Sequence, residues 1–361
     1  MSTPRITTIV PTYRRARLLK RAVLSVLNQS YPHLIVRILD NASGDDTEEM
    51  AQELMRLDAR VQYHRHPENI GSLNNIIYGI DGITTDYFTI LSDDDLLMPG
   101  FFEQGLAAHE RGDVPPAFVA TRVVVVDEAG QFADPWTHPH EARRLLPPEG
   151  IARCLNAGVS LPGVVYRTSA IRAIGMPRVS WWNWTESGWH ALAAAKFPIA
   201  FCPEVGAIVF VHADSSSKRM SSMEFRVSWF AMLAEVRAAA IPAAVSRSWW
   251  TSHVLPVAYG RFLGTLIRLC SPDGSAMYER LGRLGVASGL NRFVVSGSIG
   301  LARAAKACGV GSLLNNAMDW TIRRQQASAG RSAASGGAPE DASISAASRV
   351  FSQLSQQAGL N

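Results

Sequence analysis

Cysteine is scarce in this chain. Cys154, Cys202, Cys270 and Cys308 are the only four among 361 residues. No two of them have CxxC spacing, so neither a cysteine zinc site nor a dithiol redox motif is suggested, and so few cysteines fit a reducing compartment. Two glycine signatures are missing as well. No GxGxxG follows the first apolar run and no GxxxxGK[ST] occurs, which disfavours classical dinucleotide and P-loop sites. Long apolar stretches are also lacking. The N-terminal MSTPRITTIVPTYRR has too short an apolar run before Arg14 for a secretory signal. The most apolar region, residues 189–211, is broken by Lys196, Pro198, Pro203 and Glu204 and does not read as a membrane span. The expectation is a cytoplasmic protein, soluble or peripheral at the inner face of the membrane. Charged residues make up only 18%, yet hydrophobic residues reach 47%, too many for a disordered chain. The length suffices for a sizeable core in two domains or one large one.

The net charge of +4 conceals an asymmetry. Residues 215–326 hold 14 Lys or Arg against 5 Asp or Glu, whereas residues 1–214 hold 19 against 24. A basic half serves general solubility or draws the protein to anionic lipid or phosphate. No nucleic-acid-binding motif accompanies it, so nucleic acid is not an expected partner.

Along the chain, Ile6–Val10 reads as a buried strand ending near Pro11, and Leu18, Leu19, Ala22, Val23, Val26 and Leu27 share one helical face. Ile35–Leu39 is a second strand running into the turn Asp40-Asn41-Ala42-Ser43-Gly44. Asp45 with Glu48 looks like a capping pair for the next helix. Val61–His64 and Tyr87–Leu91 complete four strands separated by helices, and Phe118–Val126 and a short strand at residues 163–166 follow. This alternation predicts a parallel, doubly wound α/β sheet, whose ligands bind beyond the carboxyl ends of the strands. Pro11-Thr12-Tyr13, Asp40-Asn41 and Asp93-Asp94-Asp95 all fall at that edge. Residues 227–326 read as mainly helical, and 327–361, small and polar, as a disordered tail.

The acidic triplet carries the chemistry. Alternation along the chain would put Asp93 and Asp95 on one face with Asp94 turned away. Two close carboxylates repel, and a divalent cation such as Mg²⁺ or Mn²⁺, which takes oxygen ligands and substrate phosphates, relieves that. The plainer reading is a solvated turn before the helix that follows Pro99. Asp40 suits a ribose or base, or simply bonds its own turn.

PTYRRARLLKRAVLSVLNQSYP, ILDNASGDDT, ENIGSLNN and DYFTILSDDDLLMPGFF, in that order over roughly residues 5–215, resemble a family 2 glycosyltransferase of GT-A fold. The resemblance implies a doubly wound mixed sheet with a mainly helical C-terminal region, a catalytic domain over 1–226, and sugar transfer from a nucleotide-sugar donor, usually with inversion. It also implies roles. Pro11, Thr12, Tyr13, Asp40 and Asn69 would bind the donor, with Asp94 beside its ribose and diphosphate. Asp93 and Asp95 with His212 would hold the metal, and Glu186 would be the catalytic base. A glycan or lipid-linked acceptor in bacterial surface polysaccharide assembly is what the family allows, with an anionic membrane surface as a further partner. The chain departs from the family at Arg14, where Asn is usual, and at Ile76, where a basic residue is common; Lys218-Arg219 are candidates to balance the diphosphate instead. A non-catalytic nucleotide-sugar or glycan binder on the same fold, and a sugar-phosphate nucleotidylyltransferase, are the competing readings; the latter lacks its Gly-rich loop.

Overall fold

The protein is described here by a computed structural model covering residues 3–133, 142–157, 159–177, 185–212, 223–240, 245–254 and 342–360. The N-terminal part alternates strand and helix: β1 (Ile6–Thr12), α1 (Ala16–Leu27), β2 (Leu34–Asp40), α2 (Thr47–Leu57), β3 (Val61–Arg65), α3 (Ser72–Asp81) and β4 (Tyr87–Ile90). β5 (Leu96–Leu97), α4 (Phe101–His109), β6 (Phe118–Asp127), β7 (Phe132–Ala133), β8 (Arg143–Leu145) and α5 (Glu149–Ala157) follow. Then come β9 (Val164–Arg167), α6 (Thr168–Ile174), α7 (Thr185–Lys196), β10 (Ile199–Val211), α8 (Met223–Ala240), α9 (Arg247–His253) and α10 (Ala342–Gln357).

The strands form one sheet in the order β3-β2-β1-β4-β9-β6-β10-β5, with β7 beside β6 and β8 beside β10. β1 is buried over nearly its whole length, as a central parallel strand must be when helices cover both faces. It pairs in parallel with β2 on one side and β4 on the other. The chain order therefore reverses at β1, and a crevice opens beyond its carboxyl end. Thr12 stands in register with Asp40, and Asp40 with Arg65. Beyond β4 the sheet is mixed: β9 is antiparallel to β4 and β6, β10 is parallel to β6, and β5 is antiparallel to β10. A wholly parallel sheet thus holds for the first four strands only, and the mixed architecture implied by the family resemblance is the one found.

Leu19, Ala22, Val23 and Val26 give α1 a buried stripe at helical spacing. It packs with Val10, Val36, Ile38, Leu54, Phe101 and Phe102 in one core. Each such side chain contributes roughly 1.5–3 kcal/mol on burial. Asp45 does not cap α2 as a box with Glu48. Its Oδ1 accepts from the Thr47 amide and hydroxyl, 3.1 and 2.6 Å away, closing a turn one residue ahead of the Asp46 N-cap.

The chain divides into two compact units, one of residues 1–179, 189–215 and 342–361, the other of 180–188 and 216–341. In the second, α8 buries Trp229, Met232, Leu233 and Val236, and the N-cap Ser246 accepts from the Trp249 amide to start α9. The expectation of a disordered tail is corrected by α10, which belongs to the first unit. Its Ala347 and Leu354 are buried against Leu96, Met98, Val124, Val126, Val205 and Ile208, with Val350 and Phe351 alongside. Small residues among Ser and Gln concealed this helix in the sequence, since tertiary burial rather than propensity holds it. Residues 327–341, and most of the region read as helical between 227 and 326, lie outside the described residues.

Gly206 on β10 packs so closely that a Cβ there would lie 2.2 Å from Thr121 Oγ1 and 2.6 Å from its Cβ. Thr121 is buried and stiff at χ1. Gly206→Ala is expected to destabilise the fold by about 1–3 kcal/mol. Urea unfolding monitored by circular dichroism checks this; an unchanged midpoint would contradict the packing.

Candidate active site

The site is built on the loops after β1, β2 and β4. The β1–α1 loop is clamped to the β2–α2 loop: the Arg14 amide donates to Ser43 Oγ at 2.9 Å, and Arg14 Nε to the Ser43 carbonyl at 3.0 Å. Both loops contain a non-glycine residue in the left-handed region, Arg14 at φ 57° and Ala42 at φ 60°. Such conformations persist only where surroundings over-determine them, and they gather at functional sites. Asp40, at the end of β2, is fully buried and folds this corner. Its Oδ1 accepts from the Ser43 amide and hydroxyl, and its Oδ2 from the Tyr63 hydroxyl at 2.8 Å. Burial and the Asp40 carboxylate push the Tyr63 phenol up, so it stays a proton donor. Asn41 Nδ2 donates to Asn69 Oδ1, Asn41 Oδ1 accepts from the Ile70 amide, and Asn69 Oδ1 also accepts from Gly71, fixing the ENIG turn. Tyr13 is exposed at the rim, with the Arg14 guanidinium 5.0 Å over its ring.

Asp93, Asp94 and Asp95 are all buried. Thr12 Oγ1 donates to Asp93 Oδ2 at 2.8 Å, so Thr12 is turned onto the acidic triplet. Arg15 Nη1 donates to Asp93 Oδ1 at 3.1 Å and to Asp94 Oδ2 at 2.9 Å. His212 Nε2 lies 3.1 Å from the same Asp94 Oδ2. Asp95 faces elsewhere, with Oδ1 accepting the Phe210 amide at 3.1 Å. The expected alternation, with Asp93 and Asp95 together and Asp94 apart, is therefore not what forms. The triplet lies in the turn between β4 and β5, where strand alternation does not apply, and the Arg15 guanidinium draws Asp93 and Asp94 together.

Burial, then the charge of Asp94, pushes the Asp93 carboxyl up to about 6, against the opposing pull of Arg15 and Thr12. The same two causes, in the same order, raise Asp95 well above the usual carboxylate range, with the Phe210 amide opposing. The cluster is short of positive charge even with Arg15 in place, which suits a divalent cation or a cationic group. Among the described residues no group of three His, Cys, Asp or Glu side chains is arranged to hold a metal ion. Asp94 and His212 form a pair, whereas Asp93 is engaged by Thr12 and Arg15, and Asp95 by a backbone amide. A two-residue protein contribution completed by phosphate oxygens and water is a common Mg²⁺ arrangement.

Glu186 belongs to the second unit, in the first turn of α7. Burial pushes its carboxyl up to about 7. Lys218 and Arg219 lie outside the described residues. Sequence reasoning missed Arg15, Arg21, Ser43 and Tyr63. One signal was present for Arg15. Arg14 and Arg15 precede α1, Arg17 lies in its first turn, and that turn has no acidic residue, against the helix dipole. Cations there favour an acidic partner, and for Arg15 the buried triplet supplies it.

The profile of the glycosyl transferase family 2 matches residues 7–160. Among curated proteins, the GalNAc(5)-diNAcBac-PP-undecaprenol beta-1,3-glucosyltransferase of Campylobacter jejuni is 35% identical over 102 residues, or 27% of this chain and 32% of that one. An uncharacterized glycosyltransferase of Haemophilus influenzae is 24% identical over 143 residues, or 38% of this chain and 44% of that one. The chain thus matches less than half the length of these curated relatives. Among solved structures, S. aureus TarS 1–349 in complex with UDP-GlcNAc superposes with a TM-score of 0.54 at 15% identity, covering 88% of this chain and 92% of that one, a likeness of fold.

Because the folded Asp93 lies above its unfolded value of 3.8, its burial favours the protonated form. The stability this brings is complete below about 3.8 and is lost as pH rises through about 6, a contribution of order 3 kcal/mol. Asp93→Asn is expected to flatten that part of the pH–stability curve measured by chemical unfolding. Arg15→Met, by removing a lowering influence, is expected to move the Asp93 titration higher in carboxyl carbon NMR; a fall would contradict the geometry.

Proposed function

We propose, from the match of residues 7–160 to glycosyl transferase family 2, that the protein transfers a sugar, with inversion, from a nucleoside-diphosphate donor to an acceptor hydroxyl. The observation that carries this reading is the cluster of Arg15, Asp93, Asp94 and His212 at the crevice where the strand order reverses. Pro11, Tyr13 and the corner built on Asp40 and Asn69 face the nucleoside. Arg15 stands where a diphosphate's negative charge needs a partner, which answers the absence of a basic residue at Ile76. Asp94 and His212 would hold a divalent cation, Mn²⁺ or Mg²⁺, which when bound supplies Lewis-acid stabilisation of the leaving diphosphate.

Glu186 takes the proton of the acceptor hydroxyl as it attacks the anomeric carbon. A carboxyl poised near 7 suits that work at neutral pH, and such assistance contributes about 10²–10⁴-fold. The base form gains as pH rises through about 7, so turnover rises across that range. The acceptor we propose is a lipid-linked glycan of a bacterial surface polysaccharide. The activity of the Campylobacter relative supports it, as does the basic excess of residues 215–326. Among the described residues no helix is long and apolar enough to cross a membrane; the proposed association is peripheral, at the cytoplasmic face.

Three experiments test this. Isothermal calorimetry of uridine, guanosine and thymidine diphosphates, with and without Mn²⁺, is expected to identify one nucleotide whose binding needs both the cation and Asp94. Unchanged affinity in Asp94→Ala would remove the cation from the scheme. Glu186→Gln is expected to keep donor binding and lose about 10²–10⁴-fold in turnover; near-normal turnover would exclude Glu186 as the base. Flotation with phosphatidylglycerol vesicles tests the membrane surface, and protein left at the bottom of the gradient argues against it.

A further inference from the structure

The C-terminal helix reaches the acidic triplet through a single buried arginine. Arg21, on the inner face of α1, is 2% exposed. Its Nη2 donates to the main-chain carbonyl of Asp94 at 2.9 Å, and its Nη1 to Ser355 Oγ of α10 at 3.2 Å. The guanidinium carbon lies over two rings, 4.8 Å from the centre of Phe210 of β10 and 4.6 Å from that of Phe351 of α10. Phe210 in turn touches Phe351 at 5.6 Å and stacks on His212 at 5.3 Å and 25°. The amide of that same Phe210 donates to Asp95.

Two routes therefore run from Phe351 to Asp94. One passes through Arg21 to the Asp94 carbonyl. The other passes through Phe210 and the His212 ring to the Asp94 carboxylate. Arg21 remains charged at neutral pH although burial lowers it to about 10. A charge is costly to bury unless its partners are fixed, and a flat guanidinium with two aromatic neighbours and two directed bonds holds the groups it touches in one arrangement. Mutating residues that orient ligating side chains from behind typically costs about 10–100-fold in affinity or activity.

We propose that α10 is a positioning element of the donor site, with Arg21 and Phe351 fixing Asp94 and His212 for the diphosphate and its cation. This rests on the donor-site reading given above. It makes nucleotide affinity depend on residues 342–357, which follow the second unit in sequence yet pack on the first. Arg21 and Phe351 touch no reacting atom; they act through Asp94 and His212.

The test uses the full-length chain and the three nucleoside diphosphates with Mn²⁺, read by calorimetry together with donor KM and kcat. Arg21→Met and Phe351→Ala are expected to weaken nucleotide binding and raise KM about 10–100-fold, with a smaller change in kcat. Arg21→Lys, which keeps the charge and one donor, is expected to recover part of the affinity. Leu354→Ala is the control, because Leu354 is buried where α10 packs on the sheet and lies outside the run of ring contacts and hydrogen bonds that leads from Phe351 through Arg21 and Phe210 to His212 and Asp94. It is expected to lower the melting temperature yet bind nucleotide normally. Equal affinity in wild type, Phe351→Ala and Arg21→Lys would overturn the proposal, as would a loss in Leu354→Ala matching that of Phe351→Ala. A wild-type chain that binds none of the three nucleotides overturns the donor-site reading and this inference together. Binding by wild type with no effect of the variants overturns this inference alone.

Discussion

Three consecutive carboxylates buried at one turn repel one another and lose the water that would stabilise them. The structure answers with cations and directed donors rather than with exposure. Arg15 bridges Asp93 and Asp94, the Phe210 amide and Arg21 attend Asp95 and the Asp94 carbonyl, and His212 meets Asp94 from β10. Much of the surrounding architecture follows from these contacts. α1 must start where it does to bring Arg15 to the Asp93 and Asp94 carboxylates and Arg21, about 1.7 turns later, to the Asp94 carbonyl. The β1–α1 loop must strain Arg14 into the left-handed region to let the helix begin there. β10 must return beside β5 to offer the Phe210 amide and the His212 ring. Even so, burial first and the neighbouring Asp94 charge second keep Asp93 and Asp95 raised toward the protonated form, and the three carboxylates outnumber the Arg15 and Arg21 guanidiniums beside them.

That residual imbalance links fold to chemistry. A site short of positive charge at a topological switch point attracts a cation, and a cation there attracts a diphosphate. A guanidinium shared by two carboxylates can exchange one partner for a phosphate oxygen without leaving the site, because its fork of donors suits both. On the proposed reading, Arg15 holds the acidic turn together before the donor arrives and neutralises the diphosphate afterwards. The corner proposed for the nucleoside is built differently. Asp40 spends both its oxygens on Ser43 and Tyr63, so its part in that proposal is to shape the wall.

The frame of the molecule was legible in the sequence because its signals are local. Buried strands with polar residues at their carboxyl ends, separated by amphipathic helices, gave the parallel half of the sheet and put Thr12, Asp40 and the acidic triplet at one edge. The pairing within the triplet was not legible. Period-two alternation is a property of strands, and Asp93–Asp95 lie in a turn whose directions are set by Arg15 and by β10, more than a hundred residues away. Asp40 read as a ligand for ribose because a strand-end acid fits that role, but Tyr63, on the neighbouring strand, is invisible to any reading along the chain. Helix α10 was missed for a related reason: its composition resembles a linker, and only the patch of Leu96, Val124, Val205 and Ile208 awaiting cover makes it a helix.

The return of the chain end to the first unit has a consequence for how such a fold is assembled. The sheet's far half, β6 with β10 and β5, would expose the apolar face formed by Val124, Val126 and Ile208 without α10. A patch of that kind is a liability in a free domain. Covering it with a segment that also contacts Arg21 joins two tasks in one helix: sealing the core, and fixing the turn on which Asp94 stands. A helix held by burial alone would tolerate sliding along the sheet. A guanidinium over both Phe210 and Phe351, bonded to Ser355 and to the Asp94 carbonyl, favours one register. The polar contact thus supplies the specificity that the apolar contacts lack, and it does so at the point where the fold meets its chemistry.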